Sequence, residues 1–238
     1  MSVKTVEKEK RMSRLFLLLV IGGVLFVAAP CAAGVTPCKF DGLRCRTNED
    51  CCSGVCTANV CAAHHCQAFP ATGQTTSFHA GDDGATQAGA PLSYTDNGDG
   101  TITDENTRLM WEKKSADGSI HDMDTSYTWN DAFDVHVAGL NSMNFAGHND
   151  WRLPNERELV SIVNYENKFP VPAVSPAFNT NCTAGCTVQT CSCTRLSHYW
   201  SSTSDTTHPA LAWIVFFSNG AAGFGFNTGF VRAARGGS

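Results

Sequence analysis

The chain has 238 residues, with 17 Lys+Arg against 22 Asp+Glu, a formal net charge of −5, 42% hydrophobic and 16% charged residues. That apolar content supports a packed core and excludes a disordered or coiled-coil chain, and the acidic balance, with no basic run after the first fourteen residues, excludes a nucleic-acid-binding surface. Twelve cysteines exclude an ordinary reduced cytosolic protein and point to an oxidising compartment.

Lys4, Lys8, Lys10, Arg11 and Arg14 precede an uncharged apolar stretch from Leu15 to Ala29, followed by Pro30-Cys31-Ala32-Ala33-Gly34. A basic start, an apolar centre and a small-residue exit predict a secretory signal peptide over residues 1–33, cleaved after Ala33. The stretch is shorter than the roughly 20 residues of a membrane helix, so no span is expected after cleavage. Lipidation of Cys31 is disfavoured, because Pro30 stands where a small residue would precede a lipidated cysteine. Loss of residues 1–33 leaves 12 Lys+Arg against 20 Asp+Glu, a balance of −8. The expected destination is extracytoplasmic, either secreted or at the cell surface, and the thiols are expected to be oxidised.

Residues 34–66 hold Cys38, Cys45, Cys51, Cys52, Cys56, Cys61 and Cys66. A segment this short buries too little apolar surface to fold alone, so covalent bridges must replace a core. The spacing C-x6-C-x5-CC-x3-C-x4-C resembles cystine-knot (knottin) miniproteins. That resemblance implies the pairs Cys38–Cys52, Cys45–Cys56 and Cys51–Cys61, while the spacing by itself permits fifteen connectivities. A zinc module using Cys61, His64, His65 and Cys66 is disfavoured by export and by the lack of a second ligand pair. The mature chain carries an odd eleven cysteines unless Cys31 is retained, and Cys66 is the expected leftover.

A Gly/Ala/Thr-rich run from Gln67 precedes the first regular structure. In the stretch Tyr94–Asp104, Asn97-Gly98 and Asp99-Gly100 between strand-like pieces predict a β-hairpin leading into Leu109-Met110-Trp111. An EF-hand reading fails because glycines occupy ligand positions. Two helices follow. Thr128 with Asp131 caps the first, which places Trp129, Ala132, Phe133, Val137 and Leu140 on one face. Asn155 and Glu158 form a capping box for the second, whose buried stripe is Leu159, Ile162 and Val163. Trp129-Asn130-Asp131 mimics a lectin calcium motif, yet falls inside the first helix; calcium is the one cofactor the composition leaves open, and no metal site is assigned.

Cys182, Cys186, Cys191 and Cys193 lie within a dozen residues. Their irregular spacing and the compartment favour two local disulfides over a four-thiolate metal site. In Leu211–Phe217 the odd positions form one face of a strand, and Ala212, Ile214 and Phe216 make the other face apolar too. Such a strand is covered on both sides, or one side meets a partner. Ser218-Asn219-Gly220 and Asn227-Thr228-Gly229 are hairpin-turn signals.

Four stretches in order carry a family resemblance: Tyr94–Lys113, Gly147–Leu159 (GHNDWRLPNEREL), Tyr199–Thr203 (YWSST) and Val231–Arg235. Together they resemble the Lcl C-terminal domain family over roughly residues 69–236. The resemblance implies an α+β, C-type-lectin-like fold, related to formylglycine-generating sulfatase-modifying domains, with two helices against small antiparallel sheets and its terminal strands meeting. It also implies an extracytoplasmic bacterial module that binds glycans or proteins. Many members carry a cysteine where this chain has Ala233. The domain is read as residues 67–238.

Asp150 and Arg152, flanking Trp151, are expected to anchor the loop as a carboxylate–guanidinium pair. Trp200 and Trp213 are read as structural, and Arg232 and Arg235 as pairing inward with carboxylates. The candidate ligand surface is the C-terminal hairpins and their loops: Ser204, Asp205, Thr206, His208, Ile214, Phe216, Ser218, Asn219 and Asn227. Short polar groups beside rings suit a glycan or protein ligand. An enzyme is disfavoured, since no cysteine follows Cys193 and neither G-x-S-x-G nor HExxH occurs. A further alternative makes the final strands the hypervariable target of a diversity-generating retroelement.

Overall fold

The computed structural model describes residues 44, 46, 56–61, 69–167, 169–225 and 227–237, all within the second of two compact units, Lys39–Ser238. The expected signal segment and most of the 34–66 module, with its cysteine pairing, lie outside the described residues. Within that module a short antiparallel hairpin is described, β1 (Cys56–Thr57) with β2 (Val60–Cys61). It turns through Ala58 and Asn59, both at positive φ, as a two-residue hairpin loop demands.

Residues 69–237 are α+β. The Gly/Ala/Thr-rich run is not wholly irregular: Asp82 caps a single helical turn, α1 (Asp83–Thr86). A hairpin follows as expected, β3 (Tyr94–Asp96) with β4 (Thr101–Asp104). Asp96 and Asp99 each accept the backbone N–H two residues on, from Gly98 and Thr101, which shapes the turn. Next comes β5 (Leu109–Glu112), and the last strand, β11 (Ala234–Gly236), pairs with it, giving a four-stranded antiparallel sheet in the order β11-β5-β4-β3.

The first expected helix is a composite. Short strand β6 (Tyr127–Thr128) leads into α2 (Trp129–Asp131), where Thr128 Oγ1 accepts from Asp131 N. A π-helical stretch Ala132–Val137 follows, and then α3 (Ala138–Ser142). The second helix, α4 (Glu156–Ser161), has both halves of its capping box, between Asn155 and Glu158.

A second antiparallel sheet runs β7 (His198–Ser204), β8 (Ala212–Phe216) and β9 (Ala222–Gly225) in that order. Its two faces meet different cores. Tyr199, Val215 and Phe217 join Ile102, Trp111, Leu159, Ile162 and Phe178, between the sheets and α4. Trp200, Ala212 and Ile214 join Tyr127, Ala132, Val137, Leu153 and Val231, under the composite helix. The apolar character of both faces of β8 is therefore explained by coverage from the chain itself.

Asn227-Thr228-Gly229 is not a hairpin turn. It belongs to the connection that leaves edge strand β9, and Thr228–Gly229 forms β10 against β6. The chain then reaches the far edge of β7, where Phe230 bridges Tyr199. It passes over the Trp200 ring on two glycines. A Cβ on Gly225 would lie 2.8 Å from both Ile214 Cγ2 and Trp200 Cζ3, and one on Gly229 3.0 Å from Trp200 Nε1. Trp200 and Ile214 are buried and have nowhere to move. Gly225→Val is expected to cost about 3 kcal/mol, whereas Gly223→Val on the same strand, meeting only Phe216 at 3.5 Å, should cost well under half of that. Paired urea melts measure the difference.

Candidate functional site

The densest polar chemistry in the domain is buried. Side chains alternate across a strand, so Glu112 at the end of β5 and Lys114 just beyond it point the same way, and both are almost inaccessible. Glu112 Oε1 accepts from His121 Nδ1 at 2.8 Å and Lys114 Nζ at 3.0 Å. Its Oε2 accepts from His136 Nε2 at 2.9 Å and the Ala233 amide at 3.0 Å. His136 Nδ1 faces the Tyr127 hydroxyl at 3.3 Å, so the network assigns the Nε2–H tautomer, with Tyr127 donating to Nδ1.

Burial opposes the charge on Glu112, but its interactions with His136 and the Lys114 ammonium and the hydrogen bonds from both imidazole rings outweigh it and hold the carboxyl well below the usual range. Burial likewise pushes the His136 ring down, against the pull of Glu112. Near neutral pH this is an ionised carboxylate with four donors on two oxygens. Both oxygens are occupied by the chain's own groups, and Glu112 and His136 are fully buried.

Arg232 is buried beside it, but it does not pair with a carboxylate as expected. Nη1 donates to the Glu112 carbonyl at 2.9 Å, and Nη2 donates to the Cys193 carbonyl at 2.5 Å and to Thr194 Oγ1 at 2.9 Å. The guanidinium stands 5.3 Å over the Phe178 ring. The anchors around Trp151 also differ from expectation. Asp150 and Arg152 do not pair with each other: Arg152 forks onto Glu158 at 2.7 and 2.8 Å, while Asp150 receives Arg235 at 2.6 and 3.1 Å. Trp151 is buried, and its backbone is clamped on both sides by the Asn141 amide. Trp200 is buried and donates Nε1 to the Tyr127 carbonyl.

The four clustered cysteines form two nested disulfides, Cys182–Cys193 around Cys186–Cys191. Backbone bonds pin this loop as well. Thr180 and Ser192 exchange both of their backbone bonds, Cys193 N donates to Lys114 O, and Ala116 bonds Gly185 and Cys186.

The proposed ligand residues do not converge. Ser204, Asp205, Thr206 and His208 sit where β7 passes to β8, while Ser218 and Asn219 lie in the β8–β9 turn at the other end of β8, roughly 15 Å away at strand rise. Asn227 is exposed in the crossing connection. Ile214 is only 2% exposed and packs against Trp200 and the Gly225 backbone, so it is removed from the ligand set. Phe216 is half-buried with its ring 5.7 Å from His198. Asp205 is spent locally: the Thr207 hydroxyl and amide, and His208, bond its carboxyl and lower it to about 2.

What the sheet does present is an aromatic ledge. Trp213 and Phe224 are cross-strand partners with ring centroids 4.3 Å apart; Trp213 is half-buried and Phe224 is 45% exposed. Phe224 lies on β9, which has no further strand on its outer side among the described residues. The alternation of phenylalanine with glycine over 223–226 was its signal in the sequence. The domain also has concave surface. Grooves of about 520 and 380 Å³ flank Phe69 and Pro70, and both include Arg157 and Ser161 of α4. Among the described residues no helix is long and apolar enough to cross a membrane.

Compared with known proteins, the chain matches a family model described as the Lcl C-terminal domain over residues 100–235. No curated protein matches it.

Proposed function

The chain belongs to the Lcl C-terminal domain family, and from that premise we propose that it is an exported bacterial surface or secreted module that binds a glycan or protein, on a C-type-lectin-like scaffold, and is not an enzyme. Several features support this reading. The leader-like start and the cross-linked cysteines suit an oxidising exterior. The cluster of Glu112, Lys114, His121 and His136 is buried, with its donors and acceptors taken up within the chain. The observation that carries a binding role is the ledge formed by Trp213 of the middle strand and Phe224 of the edge strand. Aromatic rings in this setting stack on the apolar faces of sugars or serve as anchors at protein interfaces.

The test is a glycan and protein binding screen of the purified oxidised chain, with and without calcium, followed by variants. Phe224→Ala is expected to weaken the ligand found by on the order of tenfold or more, the usual loss for an interface anchor, without moving the melting midpoint appreciably. Absence of any ligand in the screen and in pull-down experiments would remove the binding role. A ligand indifferent to Phe224→Ala but lost with Arg157→Ala would move the site to the grooves beside α4.

A further inference from the structure

We propose that the four sulfurs of Cys182, Cys186, Cys191 and Cys193 are a redox-switched site for a soft divalent cation such as zinc: two disulfides when oxidised, a closed four-thiolate metal centre when reduced. The inference rests on distances across the two bridges. Cys193 Sγ lies 3.7 Å from Cys186 Sγ and 3.8 Å from Cys191 Sγ, and the sulfurs of Cys182, Cys186 and Cys193 all lie within 4.8 Å of one another. An ion about 2.3 Å from each of four tetrahedral sulfurs has S···S edges of about 3.8 Å. Two of the six edges of such a tetrahedron, from Cys193 to Cys186 and to Cys191, are already at that length, and the edge from Cys182 to Cys186 lies within 4.8 Å. Opening the two bridges frees the remaining edges, including the one from Cys182 to Cys191, to adjust to the polyhedron.

The second observation is that the sulfurs are not gathered by their bridges alone. The reciprocal backbone pair of Thr180 and Ser192, the bond from Cys193 N to Lys114 O, the bonds of Ala116 with Gly185 and Cys186, and the Arg232 bond to the Cys193 carbonyl hold the loop's backbone on β5 and its extension. These bonds do not run through the bridges, so they favour the same backbone arrangement once the disulfides are opened. Cys191 and Cys193 are buried, which suits a closed structural centre, and four protein ligands leave no open position for catalysis.

The chemistry balances. Four equivalents of a small-molecule thiol reduce the two bridges, giving four cysteine thiols and two molecules of the reductant's disulfide. Binding of a divalent cation then releases four protons and leaves a tetrathiolate of net charge −2. A small-molecule disulfide as oxidant reverses this: four electrons pass to it, the two S–S bonds re-form, and the ion is freed. In a reducing interior the loop holds metal, and in an oxidising exterior it holds bridges. This inference does not depend on the binding role proposed above.

The test uses the full chain, reduced by a phosphine and alkylated with and without added zinc, with each cysteine followed by peptide mass spectrometry. Thiolates held by a metal react slowly, so Cys182, Cys186, Cys191 and Cys193 are expected to alkylate together, on the order of tenfold slower with zinc. A chelator should abolish the protection, and Cys193→Ser should remove it from the other three. Equal rates for these four with and without zinc, or protection confined to the cysteines of residues 38–66, would overturn the assignment. The readout holds even if the reduced, metal-free chain unfolds, because zinc then either restores protection at these positions or does not.

Discussion

Glu112→Ala is expected to lower the stability of the domain by about 3–5 kcal/mol, the usual cost of removing one partner from a buried charge network. On a stability of about 5–15 kcal/mol that is a large fraction, and it should appear as a fall in melting midpoint on the order of 10 °C. The cause is what remains behind: the Lys114 ammonium, two imidazole N–H groups and the Ala233 amide all lose their acceptor at once. Glu112→Gln should cost less, since the amide oxygen still accepts and His136 can exchange tautomers to receive the new N–H. Lys114→Met added to Glu112→Gln should recover part of the loss, because the unpaired ammonium goes with it. Denaturant unfolding of the three variants measures the series. A Glu112→Ala chain as stable as the parent would show that the carboxylate contributes no net stability.

The second large effect is expected at Arg232. Arg232→Met strands the carbonyls of Glu112 and Cys193 and the hydroxyl of Thr194. Charge-assisted bonds are worth about 1.5–3 kcal/mol each, and relief from burying the guanidinium offsets part of the sum. A net loss of about 3 kcal/mol follows. Arg232→Lys should restore little of it, since a single ammonium does not reproduce the planar fork that reaches β5 and the cysteine loop together. Because Arg232 and Glu112 belong to one network, the double variant should lose less than the two single losses added. Full rescue by lysine would mean that charge alone, not fork geometry, is what the site requires.

Much of the architecture was legible from local chemistry. Asn97-Gly98 and Asp99-Gly100 specify a turn, Asn155 with Glu158 specifies a helix start, and the four cysteines specify a stapled loop; each signal acts within a few residues. The buried network was not legible in the same way. Glu112 and Lys114 read as a solvated strand end until their partners are known, and those of Glu112 include His121, His136 and a carboxy-terminal segment more than a hundred residues away. A trace did exist for His136, which stands four residues from both Ala132 and Leu140 on the helix and so shares their buried face. Arg232 was expected to pair inward with a carboxylate; it is buried, but its acceptors are two carbonyls and a hydroxyl, whose identity depends on tertiary packing. The expected ligand residues are dispersed for a topological reason. Residues close in sequence around β8 lie at opposite ends of it, and the order β7-β8-β9 is what sets half-buried Trp213 of the middle strand beside exposed Phe224 of the edge strand.

The connection between β7 and β8 is closed at its base by Asp205 N on Leu211 O and Leu211 N on His208 O, and most of it is exposed. A latch of that kind makes the intervening segment a cassette. Foreign peptide inserted between Thr206 and Thr207 would fall inside that closure, at a place where length and sequence can change without touching either core of the sheet.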